Sequence, residues 1–468
     1  MKSFVKRYRI SLLLVMVLCM LLSSCGLLKD LGIGVSPDAS SEITQEASSD
    51  GETLNHLSGT VAYATLHTIT ILAKTGEAYT FEKDTEKLDV GKDGVLIGYP
   101  ATVDYYGVLD EALELQQVRL KRITVGPAAG AVTEEARARQ MLSTMSLEEK
   151  VGQMFIVRCP KENAAQAVAD YHLGGYILFA SDFKNKTRSA VMKDIQSYQD
   201  ASRLGMLIGV DEEGGTVNRV SLYKQFRAVP FWSPQDLYIE GGWDLIVSDT
   251  REKAELLKSL GVNLNMAPVC DVPDAESDYI YPRSFGKDAA LTAQYVEKVV
   301  TTMGENGLGS VLKHFPGYGN NVDTHTGVAH DSRDYERFVK RDFLPFTSGI
   351  EAGADAVLVS HNIVACMDAE NPASLSAKVH DILRKQLHFT GVIMTDDLYM
   401  DAIREFAGDG KAAVMAVQAG NDMVCCTDFE AQIPAVIDAA KNGSIPESTL
   451  DEAVIRVLRW KLKLGIIQ

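Results

Sequence analysis

Thirteen residues, Lys313-His314-Phe315-Pro316-Gly317-Tyr318-Gly319-Asn320-Asn321-Val322-Asp323-Thr324-His325, put a cation, two imidazoles and a carboxylate on one Pro/Gly-rich loop. The loop follows an apolar run, and chemistry tends to sit on loops carried by a rigid element. The Asp-x-His spacing of Asp323 and His325 lets a carboxylate reach an imidazole and tune its proton affinity, the requirement for acid/base work near neutral pH. About seventy residues later a second apolar run ends in Thr395-Asp396-Asp397. A paired histidine and an aspartate closing a strand together point to an enzyme.

These groups need elements to position them. Candidate strands are Met154–Arg158, Gly175–Phe179, Met206–Val210, Val262–Met266, Ser310–His314, Ala356–Ser360, Val392–Thr395 and Met423–Cys426, with helix-like segments between them. The strands are continuously apolar rather than alternating, as expected of a parallel sheet buried on both faces. Eight such βα repeats predict a closed α/β (β/α)8 barrel of the TIM type. An open doubly wound sheet is disfavoured, because no Gly-x-Gly-x-x-Gly turn follows the first strand. Barrel sites lie at the C-terminal strand ends. Those ends read Asp211-Glu212-Glu213-Gly214-Gly215 through Arg219, Cys270-Asp271 with Arg283-Ser284-Phe285-Gly286, Lys313-His314, Ser360-His361 and Asp396-Asp397. Carboxylates that accept from hydroxyls and cations that donate to them suit a neutral, hydroxyl-rich ligand.

The ordered set Asp-Glu-Glu-Gly-Gly, Arg-Ser-Phe-Gly, Lys-His-Phe-Pro-Gly, Asp-Thr-His and Thr-Asp-Asp-Leu resembles glycoside hydrolase family 3, and within it the bacterial β-N-acetylglucosaminidases. The resemblance covers about residues 141–468, and the Asp-Thr-His pair marks the subgroup. It implies that Asp396 is a nucleophile forming a glycosyl-enzyme, that His325 is the acid and then the base, and that Asp323 orients His325 and raises its proton affinity. Asp211, Arg219, Arg283, Lys313 and His314 would hold sugar hydroxyls. That is a retaining double displacement with a His–Asp pair in place of the usual second carboxylate. No cofactor or metal is implied. Two positions depart from the family pattern. Tyr318 stands where a third histidine is common, and Tyr279-Ile280-Tyr281-Pro282 lacks a customary glycine.

Each assignment has a plainer competitor. Aspartate is a favoured N-cap, a role that suits Asp397 better than Asp396. His314 and His361 could be core histidines, and Lys313 a structural ion-pair partner. Glu212 and Glu213 read as supports for the Gly214-Gly215 turn. His314, Asp323, His325, His330 and His361 lack the close pairing of a metal site.

The N-terminus frames this domain. Lys2, Lys6, Arg7 and Arg9 precede a short apolar core, Ile10 to Leu22, too short for a span of about 20 residues. Leu22-Ser23-Ser24-Cys25-Gly26 resembles a bacterial lipobox, implying a signal peptide over 1–24 and a lipidated Cys25 on the outer face of the cell membrane. Residues 25–57 are rich in Ser, Asp, Glu and Thr and are expected to be a disordered tether. Residues 58–126, with short β-rich runs and turn signals, are expected to form a small all-β, barrel-like domain acting as a spacer, a glycan-binding module or a packing platform. Residues 127–468 would be the catalytic domain. Net charge over the 468 residues is −17, which argues against a nucleic-acid partner. Cys159, Cys270, Cys366, Cys425 and Cys426 are odd in number and sit mostly in apolar runs, so free thiols are expected. The sequence and its resemblance therefore lead us to expect an exported exo-glycosidase acting on β-linked N-acetylglucosamine of cell-wall fragments or other amino-sugar glycans. A phosphorylase or β-glucosidase of the same fold and a non-catalytic sugar-binding lipoprotein are its rivals.

Overall fold

The computed structural model describes residues 134–321, 329–407 and 410–467, and residues 43–126 apart from 48–52, 66–67, 74–76, 84–86, 91–98, 111–112 and 114. The segment expected to be a signal peptide, Cys25 and the Asp323/His325 pair therefore lie outside the described residues. The chain divides into two units, Met1–Val132 and Thr133–Gln468.

In the first unit seven strands form one sheet: β1 (Ile43–Ala47), β2 (Thr53–Ala64), β3 (Thr68–Ala73), β4 (Ala78–Glu82), β5 (Leu88–Val90), β6 (Pro100–Tyr106) and β7 (Arg119–Val125). Their order is β4-β3-β2-β6-β7-β5, with β1 also on β2. The strand ladder does not close among the described residues. A single bond from the Gln116 N–H to the Thr80 carbonyl (2.8 Å) links β4 to the segment before β7. The disordered tether expected over 25–57 is corrected here, because β1 and the first part of β2 fall inside it. Composition speaks for side chains, whereas β2 is held by its main chain, pairing antiparallel with β6 from Leu54 to Thr60. Leu54 and Leu57 suffice to anchor it, both buried. Strand β6 was also not expected, although Ala101, Val103 and Tyr105 alternate cleanly into the core. The strand expected at Gly94–Gly98 lies outside the described residues.

In the second unit the barrel strands are β8 (Phe155–Arg158), β9 (Gly175–Leu178), β10 (Leu207–Val210), β11 (Leu264–Asn265), β12 (Gly309–Phe315), β13 (Ala356–Val359), β14 (Val392–Thr395) and β15 (Val424–Cys426). All eight pair in parallel, in the order β14-β13-β12-β11-β10-β9-β8-β15. A bridge between Met394 and Met423 joins the two ends. The fold is the α/β barrel expected, each strand within two residues of its predicted bounds.

Both faces of these strands are apolar, which is why the runs read as continuous. Ile156, Ile177, Leu207, Leu264, Val311, Leu358, Met394 and Cys425 pack together inside the barrel. Their alternating neighbours Val157, Tyr176, Ile208, Leu312, Val357, Ile393 and Val424 join the cluster under the helices. Side chains two residues on stay on the same face. Followed to the C-terminal strand ends and one residue beyond, the inner parity reaches Arg158, Phe179, Asp211, Lys313 and Asp396. Helix ends are fixed locally. Ser146 and Glu149 form a capping box on Leu147–Gln153, and Asp288 caps Ala289–Glu305 through the Leu291 N–H (2.9 Å).

At the opposite, N-terminal end of the barrel, Lys461 of the helix Glu447–Lys463 is fully buried. Its ammonium donates to Gln153 Oε1 (2.6 Å) and to the Gly205 carbonyl (2.7 Å). Burial without a counter-charge pulls its pKa down to about 7.

Candidate active site

The five inward residues at the strand tops open into a cavity of about 380 Å³, also lined by Val217, Arg219, Tyr279, Arg283, His314, Tyr318, Asp397 and Met400. Six of the eight catalytic and sugar-binding residues expected from sequence, Asp211, Arg219, Arg283, Lys313, His314 and Asp396, thus share one cavity. The other two, Asp323 and His325, fall outside the described residues, as does Cys25.

Charge on the cavity floor is tightly matched. Lys313, fully buried, lies 2.7 Å from Asp211 and 2.7 Å from Glu213. Arg283 grips Glu213 through Nε (3.1 Å) and Nη2 (2.8 Å), the fork geometry that favours arginine over lysine. Burial opposes the Glu213 charge, but Lys313 and Arg283 outweigh it and hold the carboxyl well below the usual range. Burial likewise opposes the Lys313 charge, and Asp211 with Glu213 more than offsets it, raising the ammonium above its ordinary value. Glu213 was read from sequence as a turn support; instead it is the counter-ion shared by the buried Lys313 and the partly buried Arg283.

His314 is fixed from both sides. Arg283 Nη2 lies 3.2 Å from its Nε2, and arginine has no acceptor, so Nε2 accepts. The ring proton therefore sits on Nδ1, facing Asp271 Oδ2 at 2.8 Å. Asp271 also accepts from the His314 N–H (3.2 Å) and the Tyr318 N–H (2.7 Å), tying the loop after β12 to the end of β11. Tyr318, the departure noted in the sequence, is buried with its ring edge-on to His314, the centroids 5.2 Å apart.

Arg219 depends on a turn. Gly214 and Gly215 carry φ of 101° and 61°, and a Cβ at Gly214 would stand 2.2 Å from the Trp232 carbonyl oxygen. Glu212 lies beneath, fully buried. Its carboxylate accepts from the N–H groups of Arg219 (2.8 Å), Val220 (2.7 Å) and Ser221 (3.0 Å) and from the Ser221 hydroxyl. The sequence reading made Glu212 a support of the Gly214-Gly215 turn; its carboxylate instead holds the Arg219–Ser221 turn. The Arg219 guanidinium comes within 3.9 Å of Asp211.

Asp396 sits at the tip of β14. The Asp397 N–H donates to its Oδ1 (2.8 Å), and its own N–H donates to the Val359 carbonyl (3.1 Å). Asp397 was expected to cap the following helix, yet that helix begins only at Asp401. Asp397 instead accepts from the Tyr399 N–H (3.0 Å) and the Thr427 hydroxyl (2.6 Å). Burial pushes its carboxyl above the usual range, these two bonds pull it down, and the Asp396 charge adds to the rise. His361 is fully buried, with Nδ1 at 2.8 Å from the Ser374 hydroxyl and Nε2 at 3.1 Å from the Asp397 carbonyl. It braces the Asp396 turn from behind and does not line the cavity. Of the thiols expected to be free, Cys159, Cys270, Cys425 and Cys426 are buried and Cys366 is exposed; none is bonded to another described cysteine. No metal-binding cluster occurs among the described residues.

Sequence reasoning missed Arg158 and Phe179. The signal was present, since both extend the inner parity of β8 and β9 by one step. It was overlooked because Arg158 was read as the last residue of a strand and Phe179 as core.

Residues 146–460 match the model of the glycosyl hydrolase family 3 N terminal domain. A "Beta-hexosaminidase" of Nitrosomonas eutropha is 33% identical over 55% of this chain and 74% of its own length. "Beta-hexosaminidase LpqI" of Mycobacterium tuberculosis is 31% identical over 68% of this chain and 83% of its own. Among solved structures, a family 3 β-N-acetylglucosaminidase from Paenibacillus sp. FPU-7 superposes with TM-score 0.64 at 29% identity, covering 69% of this chain and 63% of that one. Mycobacterium tuberculosis LpqI superposes with TM-score 0.62 at 28% identity, over 68% and 95%. The chain belongs to glycoside hydrolase family 3, and it is a glycoside hydrolase.

Proposed function

We propose that this protein removes non-reducing terminal β-linked N-acetylglucosamine by a retaining double displacement. Asp396 attacks the anomeric carbon to form a glycosyl-enzyme, and water then releases the sugar. His325 protonates the departing oxygen and afterwards takes a proton from the water, with Asp323 orienting its ring and raising its proton affinity. Asp211, Arg219, Arg283, Lys313 and His314 hold the hydroxyls of the terminal sugar. The observation that carries the reading is the shared cavity, in which the paired floor around Lys313 and the Asp396 carboxylate both present side chains at the barrel's C-terminal end. A preorganised, ion-paired floor binds hydroxyls without reorganising as charge develops at the sugar. Relatives named β-hexosaminidase and β-N-acetylglucosaminidase support the choice of amino sugar. Export with a lipid anchor at Cys25 rests on the Leu22-Ser23-Ser24-Cys25 motif.

The test is hydrolysis of nitrophenyl β-N-acetylglucosaminide against the β-glucoside, with and without phosphate. Turnover of the acetamido sugar alone, independent of phosphate and abolished by Asp396→Asn, supports the reading. Phosphate-dependent release of a sugar 1-phosphate, or preference for the glucoside, overturns it.

A further inference from the structure

The loop after β12 is tied to the chain that follows it by a side chain outside the cavity, that of Arg333. This side chain is 7% exposed, and those of its carboxylate partners, Asp331 and Asp342, are 1% exposed. Every guanidinium nitrogen is engaged. Nε donates to Asp331 Oδ2 (2.9 Å), Nη1 to Asp342 Oδ1 (2.7 Å), and Nη2 both to Asp331 Oδ2 (2.6 Å) and to the Gly317 carbonyl (2.6 Å). The guanidinium face rests over the Phe338 ring at 4.3 Å. Gly319 lets the loop lie directly against this group, since a Cβ there would stand 2.3 Å from Arg333 Nη1. A lysine, with its compact point charge, could not make all three ties at once.

Asp331 carries the tie further. Its Oδ2 accepts from Asn321 Nδ2 (2.6 Å). Its main chain is pinned as well, because His330 and Asp331 pair in parallel with Ile363 and Val364, and the Ile363 N–H donates to the Ala329 carbonyl (2.8 Å). Gly317 and Asn321 precede residues 322–328 in the chain, and Ala329 and Asp331 follow them. Arg333 and Asp331 thus join both ends of the segment whose sequence holds Asp323 and His325. The same loop also serves the cavity floor, since the Tyr318 N–H donates to the Asp271 carboxylate that faces His314.

We propose that Arg333 is a positioning residue for proton transfer, acting through the two chain ends it joins rather than by touching the sugar. The proposal rests on the function proposed above, in which His325 is the acid and then the base. A proton is delivered only over hydrogen-bond distance, and a misplacement of about 1 Å can cost on the order of 10²-fold in rate. Buried ionic ties at both ends of the segment limit that misplacement.

Aryl β-N-acetylglucosaminides of graded leaving-group acidity, from dinitrophenyl to phenyl, test this on the full chain. A dinitrophenolate departs without a proton, whereas a phenolate needs one, so only the second depends on a placed acid. Arg333→Met should lower kcat/KM on the phenyl glycoside by about 10²-fold and leave the dinitrophenyl value nearly unchanged. Turnover of the dinitrophenyl sugar should then stall at the glycosyl-enzyme, because water needs the base. Azide attacks the anomeric carbon and the Asp396 ester bond breaks with no proton moved, so kcat should recover as the β-glycosyl azide forms. Arg333→Lys should retain part of the activity on the phenyl glycoside. Asn321→Ala removes one tie and leaves the buried ion pairs, so it should show the same selectivity at smaller size even where Arg333→Met does not fold. A loss equal across leaving groups would place the effect on the sugar floor. That result, no loss in a folded variant, or no recovery with azide overturns the proposal. His325→Ala in the same series reports separately on the underlying function, because absence of leaving-group selectivity there overturns the acid role itself.

Discussion

Two lysines, each fully buried in the same barrel, respond to burial in opposite ways. Lys461, at the N-terminal end, has the Gln153 and Gly205 oxygens as its hydrogen-bond partners among the described residues, and its pKa falls to about 7. Lys313, at the C-terminal end, lies between two carboxylates, and its pKa rises. Burial disfavours the charge on both, so the difference is made by the neighbours. One end of the barrel accepts a polar plug at the cost of its charge. The other assembles opposite charges in close pairs, the arrangement a sugar site needs.

The sharpest break in this contrast comes from the carboxylate the floor serves. Asp396→Asn should lower kcat on nitrophenyl β-N-acetylglucosaminide by on the order of 10⁴-fold, as loss of an acting catalytic group does, while thermal stability is unchanged or higher. Next, Lys313→Met removes the cation from between Asp211 and Glu213 and leaves Glu213 buried with Arg283 alone. Breaking a buried pair in this way costs about 3–5 kcal/mol, read as a fall in the chemical-denaturation midpoint, together with loss of activity. A smaller effect should follow Glu212→Gln. The Arg219–Ser221 turn loses its ionised acceptor, at about 1–3 kcal/mol in the same assay, with KM raised more than kcat is lowered.

Lys461 supplies the cleanest contrast in sign. Its folded pKa lies below that of the unfolded chain, which therefore binds the extra proton between pH 7 and the ordinary lysine value of 10.5. Its contribution to stability thus rises as pH increases through that window, by at most about 1.4 kcal/mol per pH unit. Lys461→Met should flatten the rise measured from pH 7 to 9, and at pH 7 it should be no less stable than the unmodified chain. A variant that keeps the full pH slope would show that Lys461 is not the titrating group.

Much of the barrel was legible because both faces of its strands are apolar, so each strand appears as an uninterrupted run between polar helices. The strand tops were legible for the complementary reason: Asp211, Lys313 and Asp396 interrupt those runs abruptly. Arg158 was harder to see, since one charged residue ending a run looks like an ordinary boundary until inward parity is tracked along all eight strands. Glu213 illustrates a different limit. Its ion partners, Arg283 and Lys313, lie 70 and 100 residues away along the chain, and no local pattern announces them. In the first unit, β1 and the start of β2 were hidden because main-chain pairing leaves no signature in a polar composition. His361 required the fold as well, because its partners Ser374 and Asp397 converge only when β13 and β14 lie side by side.

The most direct measurement is peptide mass mapping after rapid quenching with a 5-fluoro N-acetylglucosaminyl fluoride, which slows release of a covalent glycosyl-enzyme. The account predicts a single adduct of one fluorosugar on the peptide containing Asp396, absent in Asp396→Asn. An adduct on another residue, or inactivation without any adduct, would contradict the double displacement at Asp396.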